Sequence, residues 1–254
     1  VPLVFDKHVF RAYDIRGIVG KELTPALYYN VGRGLAAMMQ EQHQTTMLLG
    51  FNARLSSESL AQALSDGLTD SGIDVVSVGL VPSPVLYFAF EHLGIASGVM
   101  VTGSHNPKEY NGIKMVVNGK NLTDVDIEQL YLQITEQQFI NGSGSFKKIN
   151  IIADYVKAIA SQIQLAKPLK IAIDCGNAVA GAFAGELFRS IGAEVLELYC
   201  EVDGSFPNHH PDPSIPENMS ELTKLVQAEN CDIGLAFDGD GDRLGVVTLS
   251  GRII

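Results

Sequence analysis

The chain has 254 residues, enough for two domains, with 46% apolar and 19% charged residues and no low-complexity tract that would mark disorder. A formal net charge of −11 argues against nucleic acid and anionic membrane surfaces as partners, and it requires that any anion be met by locally concentrated Arg and Lys. Three cysteines, Cys175, Cys200 and Cys231, without a C-x-x-C spacing, exclude a disulfide framework or a zinc site and fit a reducing cytoplasm.

Helix and strand signals alternate along the chain. Thr24-Pro25 is an N-cap followed by proline at the first helical position, and Leu27, Val31 and Leu35 recur on one face. TMLLGF then reads as a short buried strand. Ser56 or Ser57 is expected to cap a helix carrying Leu60, Leu64 and Leu68, which Gly72 closes. IDVVSVG is a second strand. Ser83-Pro84 starts the next helix, Gly94 ends it, and SGVMVTG is a third strand. The longest apolar stretch, Val78 to Phe90, is interrupted by Pro82, Ser83 and Pro84 and falls short of the roughly 18 residues of a membrane span. The N-terminus has neither a basic n-region nor an apolar h-region, so a secretory leader is not expected.

The pattern then returns. LKIAID is a strand, Ala178 to Ile191 a helix, AEVLELY a strand, PENMSELTKLVQAEN a helix and DIGLAF a strand ending in DGDGDR. The stop glycines Gly72 and Gly192 lie 120 residues apart, and the strand-end segments starting at Gly98 and Gly234 lie 136 apart. The spacing predicts two related α/β units that differ by a 16-residue insertion, with the boundary in the Gly/Ser/Asn-rich stretch 140–150, so domains of 1–145 and 146–254. The terminal GVVTLSGRII reads as strand, turn and the start of another strand, as if the fold continued beyond Ile254.

In open α/β sheets, ligands gather beyond the carboxyl ends of the strands, and two unusual loops fall there. Asp238, Asp240 and Asp242 alternate with glycines. Three carboxylates so close repel one another unless a cation sits among them or their pKa values rise. All-oxygen ligation selects a hard cation, Mg²⁺ or Ca²⁺. The EF-hand reading fails, because Arg243 and Leu249 stand where Gly and Glu are needed. Arg243 suits a phosphate oxyanion; the plainer alternative is a solvated Asp/Gly turn.

The other loop, VTGSHNPKEYNGIK from Val101 to Lys114, offers three readings of Ser104: a nucleophile, a turn or cap serine, or a phosphorylated serine. Adjacent residues point apart, which disfavours a Ser104–His105 dyad. A phosphoserine brings about −2 charge and needs cations, which a metal with Lys114, His105 and Arg243 would supply; charge balance favours this reading. Lys114 is either a general acid or base or a solvated lysine, and His105 either a supporting contact or a hydrogen bond to a loop carbonyl. In FRAYDIRG, Arg11, Tyr13, Asp14 and Arg16 either grip an anion or shape a turn. FPNHHPDP, with His209 and His210, is a structured loop.

Taken together, VTGSHNPKEYNGIK, AFDGDGDR, FRAYDIRG and GSFPNHHPDPSIPEN resemble the α-D-phosphohexomutases, on the bacterial phosphomannomutase/phosphoglucomutase side: Tyr110-Asn111-Gly112 stands where phosphoglucosamine mutases usually carry Asp-Asn-Gly. The resemblance spans essentially the whole chain. It implies two related three-layer α/β/α domains with mixed, mainly parallel sheets, and interconversion of hexose 1-phosphate and 6-phosphate through a bisphosphorylated sugar. It implies one Mg²⁺ on Asp238, Asp240, Asp242 and phosphorylated Ser104, with hexose 1,6-bisphosphate as activator. Arg16 and Lys114 become candidates for proton transfer, His105 and Arg243 hold the loop and its phosphate, and Tyr13 shapes the entrance. Family members have four domains, so the partners implied are a phosphosugar and the third and fourth domains of the same protein. A Mg²⁺-dependent phosphotransferase with an aspartate nucleophile, or a non-catalytic phosphosugar-binding module, are the alternatives.

Overall fold

A computed structural model describes residues 4–254, which divide into two compact units. The first comprises residues up to Leu80 and Leu86–Asn150; the second comprises Val81–Val85 and Ile151–Ile254. In chain order the first unit has strand β1 (Ile15–Ile18), helix α1 (Pro25–Glu41), β2 (Thr46–Phe51), α2 (Ser57–Thr69), β3 (Asp74–Leu80), helix α3 (Ser83–Leu93) from Leu86 onward, β4 (Gly98–Val101), β5 (Tyr110–Val117), β6 (Lys120–Asn121), α4 (Asp124–Thr135) and β7 (Phe146–Lys148). The second has α5 (Ile152–Ala160), β8 (Lys170–Asp174), α6 (Ala184–Ser190), β9 (Glu194–Leu198), α7 (Ser220–Ala228), β10 (Ile233–Phe237) and β11 (Leu244–Thr248).

The first sheet has the order β1-β5-β4-β2-β3-β7, with β6 on β5; the second has the order β11-β10-β8-β9. The run β5-β4-β2-β3 and the run β11-β10-β8-β9 are the same arrangement. In each, three strands are parallel and the last turns back antiparallel. The repeat read from glycine spacing is therefore a repeat of topology, and the serine and aspartate loops occupy the same connection in it, β4 to β5 and β10 to β11.

The central parallel strands are largely apolar at successive positions because both sheet faces are covered by helices there, whereas the edge strands β7 and β9 carry exposed charged residues. In the first unit, Met47, Leu49, Val75, Val99 and Val101 face a core shared with α1, α2 and α4. Leu48, Val76 and Met100, on the other face, are equally buried, and the Phe90 ring of α3 packs against Gly98 there. In the second unit Ile171, Ile173 and Leu235 meet Ala180 and Ala184, whereas Ala172 and Ala236 meet Met219, Leu222 and Val226 of the α7 side. This is the three-layer α/β/α arrangement with mixed sheets.

Local chemistry follows the sequence in most places. Thr24 Oγ1 accepts from the Leu27 amide and caps α1. Gly72, Gly94 and Gly192 all have positive φ where helices stop. Three details differ. Ser56 and Ser57 do not cap α2 by side chain; their hydroxyls accept from Asn111 Nδ2 at 2.9 and 3.0 Å, joining the helix start to β5. The helix expected over Ala178 to Ile191 is interrupted. A 3₁₀ turn, Val179–Ala182, precedes α6, and Phe183 between them has φ −149°. Gly181 lies in this turn, and a Cβ there would come 2.1 Å from the Cys200 carbonyl oxygen, so no larger residue fits. Finally, β7 lies inside the Gly/Ser-rich stretch read as the boundary and pairs with β3, so the first unit extends to Asn150. All three cysteines are free, and among the described residues no helix is long and apolar enough to cross a membrane.

Helices α1 and α2 touch through backbone. A Cβ on Gly32 would sit 2.3 Å from the Leu64 carbonyl oxygen, and one on Gly67 2.0 Å from that of Tyr29. Gly67→Ala gains roughly 1 kcal/mol of helix propensity but forces the helices apart. We expect a net loss of about 2 kcal/mol, measured as a lower urea midpoint with an unchanged slope.

Candidate active site

The serine loop leaves the end of β4. Ser104 is buried and has φ +50°, an uncommon backbone for a residue with a side chain. The conformation is held from outside the loop. Arg54, itself only 3% exposed, donates through Nη2 to the carbonyls of Ser104 (2.8 Å) and Asn106 (2.5 Å), and through Nη1 to those of Pro107 (2.7 Å) and Tyr110 (3.0 Å). Five planar donors on one guanidinium suit a strained turn whose carbonyls converge. Thr102 Oγ1 accepts from the Ser104 amide at 2.8 Å and from Asn52 Nδ2 at 3.0 Å. Ser104 Oγ lies 3.3 Å from His105 Nδ1.

Arg16, on β1 opposite Gly112 of β5, joins the same loop: its guanidinium donates to Asn106 Oδ1 and to Asp14 Oδ2. The fork of Arg16 is thus aimed by a carboxylate of its own turn. Lys114 lies on β5 opposite Met100 and is partly buried. Tyr13 is 75% exposed on the turn before β1. The first unit therefore brings Ser104, His105 and Arg16 together, with Asn106 as the link.

The aspartate loop leaves the end of β10. Asp238 and Asp240 are fully buried and Asp242 is exposed, yet each offers an oxygen within 4.8 Å of the others. Asp238 Oδ1 accepts from the amides of Asp242 (3.0 Å) and Arg243 (3.1 Å), so the loop folds back on its first carboxylate. Gly241, at φ +69°, permits the turn. Asp240 Oδ2 accepts from Ser83 Oγ at 2.6 Å, and the Asp240 carbonyl accepts from the Ser83 amide at 2.9 Å. The Arg243 side chain is exposed beside them. Burial, and then the Asp240 and Asp242 charges, push the Asp238 carboxyl up to about 7. Three carboxylate oxygens within 4.8 Å of one another, two of them on buried side chains, are chemically suited to a hard divalent cation with oxygen ligands.

The FPNHHPDP loop packs on the same unit. His209 Nε2 meets buried Asp174 Oδ2 at 2.9 Å, and its Nδ1 meets the His210 carbonyl at 3.0 Å. Burial opposes the charge on His209, but the Asp174 carboxylate holds its pKa above the ordinary value. His209 thereby ties the loop to the end of β8.

Arg54 and Ser83 escaped sequence reasoning. Arg54 had a signal available: it stands in FNARL, just past the carboxyl end of β2, where ligand loops of such sheets gather. Ser83 had none, because its partner lies 157 residues away.

Two α/β/α units of matching topology, each with a polar loop on the same strand connection, define a duplicated-domain class with its chemistry at the strand ends. The description phosphoglucomutase/phosphomannomutase, alpha/beta/alpha domain I, matches residues 7–141, and that of domain II matches 153–251. The chain is 49% identical over 246 residues to the phosphomannomutase/phosphoglucomutase of Pseudomonas aeruginosa, covering 97% of this chain and 53% of that protein. It is 48% identical over 250 residues to the phosphoglucomutase of Neisseria meningitidis, covering 98% and 54%. A crystal structure of a phosphoglucomutase/phosphomannomutase family protein from Burkholderia thailandensis superposes with a TM-score of 0.95 at 44% identity, covering 99% of this chain and 57% of that one. The chain belongs to the phosphoglucomutase/phosphomannomutase family, within the α-D-phosphohexomutases, and spans about half the length of the relatives it matches.

Two outcomes follow from the geometry. Because the folded pKa of Asp238 is raised, its protonated form is favoured in the fold: its stabilising contribution is present at low pH and is lost as pH rises through about 7. In the metal-free chain we expect Asp238→Asn to gain about 2 kcal/mol relative to wild type between pH 5.5 and pH 8, and Mg²⁺ to raise the wild-type melting temperature more at pH 8 than at pH 5.5. Separately, Arg54→Met should lower the unfolding free energy by about 3 kcal/mol, since it strands carbonyls that now accept from a charged donor, and Arg54→Lys should recover only part of this in urea titrations.

Proposed function

We propose that the whole protein, whose first two domains this chain represents, interconverts the 1-phosphate and 6-phosphate of mannose or glucose. The observation that carries the reading is the placement of Ser104 and of the acidic triad on the same connection of two equivalent sheets, in a chain of this family. In this reading Ser104 is a phosphoserine. A hydroxyl of the bound hexose monophosphate attacks its phosphorus, the bond to Ser104 Oγ breaks, and the hydroxyl proton passes to Lys114 or to Arg16. The bisphosphorylated sugar turns over and returns its other phosphoryl group to Ser104 Oγ, completing the exchange.

Transfer of this kind depends on positioning and on compensation of charge. Asp238, Asp240 and Asp242, with a phosphoryl oxygen on Ser104, would hold one Mg²⁺, which supplies charge neutralisation at the transferring group. Arg54 and Thr102 hold the loop so that the serine backbone does not relax from its strained turn. His105 and Arg243 contact the phosphoryl group, Arg16 is aimed by Asp14, and Tyr13 lines the entrance. Hexose 1,6-bisphosphate would re-phosphorylate an enzyme that has lost its group. The third and fourth domains implied by the family supply the remaining sugar contacts, and remote contacts of that kind drive catalysis. Three free cysteines agree with work in the cytoplasm.

Intact mass of the purified chain tests the carrier: about 80 Da above the sequence mass, absent in Ser104→Ala, is expected. In the full-length protein, assayed on glucose 1-phosphate and mannose 1-phosphate with glucose 1,6-bisphosphate, Ser104→Ala should lower kcat by about 10³-fold or more. Turnover retained in Ser104→Ala would instead favour an aspartate-nucleophile phosphotransferase.

A further inference from the structure

Of the fully buried polar groups, Ser83 stands out by its origin. It follows β3 in the chain and opens α3, yet Val81–Val85 packs as part of the second unit, within which it meets the aspartate loop. Ser83 has no exposed surface. Its hydroxyl donates to Asp240 Oδ2 at 2.6 Å and its amide to the Asp240 carbonyl at 2.9 Å, so one residue grips both the side chain and the backbone of another.

The surroundings make this grip rigid. Pro82 and Pro84 flank Ser83, and each fixes its own φ and restricts the residue before it. Neither proline has an amide hydrogen, so the Ser83 amide is the backbone donor available between them. Pro82 and Pro84 line a small apolar cavity together with Tyr155, Phe183 and Phe237. Pro82 also lies against Gly241, where a Cβ would come within 3.0 Å of it, so the segment runs along the turn that follows Asp240.

A carboxylate turns readily about its last torsion, and that freedom is lost when it binds an ion. Asp238 is oriented from inside its own loop by the amides of Asp242 and Arg243. Asp240 is oriented from a distant part of the chain. We infer that Ser83 is a positioning residue of the divalent-cation site, fixing the Asp240 carboxylate before the cation arrives. The inference rests on the metal assignment made above, and it adds a residue outside the acidic loop to that site. Outer partners of metal ligands commonly change affinity by about 10- to 100-fold, which sets the size of the expected effect.

The test uses the 254-residue chain and Mn²⁺ as the probe, with free Mn²⁺ followed by electron paramagnetic resonance. Ser83→Ala should raise the Mn²⁺ Kd by about 10-fold or more, whereas Ser83→Thr, which keeps a hydroxyl on the same carbon, should stay within about 3-fold of wild type. Melting in EDTA, recorded for each variant, separates loss of fold from loss of ion. A Ser83→Ala chain that melts lower but binds Mn²⁺ as wild type does would make Ser83 merely structural and overturn the proposal while leaving the metal site intact. A wild-type chain that binds no Mn²⁺ would overturn the metal assignment and the proposal together. Should Ser83→Ala fail to fold, Ser83→Cys takes its place: it keeps the volume with a far weaker donor, and wild-type affinity in that variant would likewise overturn the proposal.

Discussion

Two buried carboxylates at the end of one strand set the terms for the second unit. An ionised acid out of water is costly unless hydrogen bonds or a cation compensate it, and here both Asp238 and Asp240 have lost their solvent. The hydrogen bonds of the local fold include two amides on Asp238 and a hydroxyl on Asp240. Burial and the neighbouring Asp240 and Asp242 charges still hold the Asp238 carboxyl above its ordinary value. Three carboxylate oxygens so close together fit a hard-cation site. The same logic makes the net charge of −11 informative, because a protein so acidic gains nothing from more carboxylates unless they do something specific.

The first unit solves the opposite problem on the same architecture. Where β10 ends in carboxylates, β4 ends in a serine whose backbone is bent into the left-handed region. That bend is held by a cation, Arg54, whose donors are spent on carbonyls of the loop. Equivalent connections in one topology thus carry opposite electrostatics: a buried guanidinium organises one loop, buried acids the other. Function on such folds lies in loops at strand ends while the sheet stays constant.

How much of this was legible in the sequence depended on the range of the interaction. Strands β2, β4 and β10 were legible because both their faces are largely buried, so their residues are apolar nearly without interruption. Helix stops were legible because Gly72, Gly94 and Gly192 need positive φ. The two loops were legible as strings of chemically unusual residues, and their kinship with a known family as whole motifs. The break at Phe183 was not, because the residues on either side of it read as one helical run. Strand β7 was hidden by its loop-like composition, since its place is set by pairing with β3. Ser56 and Ser57 looked like helix caps because Asn111, their actual partner, lies over fifty residues away. Periodicity reports neighbours along the chain, and the residues that finish a site come from elsewhere.

The division of the chain has a consequence for the order in which this protein takes shape. Val81–Val85 is made early but belongs to a unit whose other residues begin at Ile151. The hydrogen bond from Ser83 to Asp240 spans 157 positions, among the most costly kinds of contact to close because so much chain entropy is lost first. During synthesis the first unit can build most of its sheet while this short segment still lacks the strands and loop it will pack on. The second unit, in turn, is not a contiguous piece of sequence: a cut at Asn150 leaves it without the serine that grips Asp240. The acidic loop is thus among the last parts of the chain to find all its contacts.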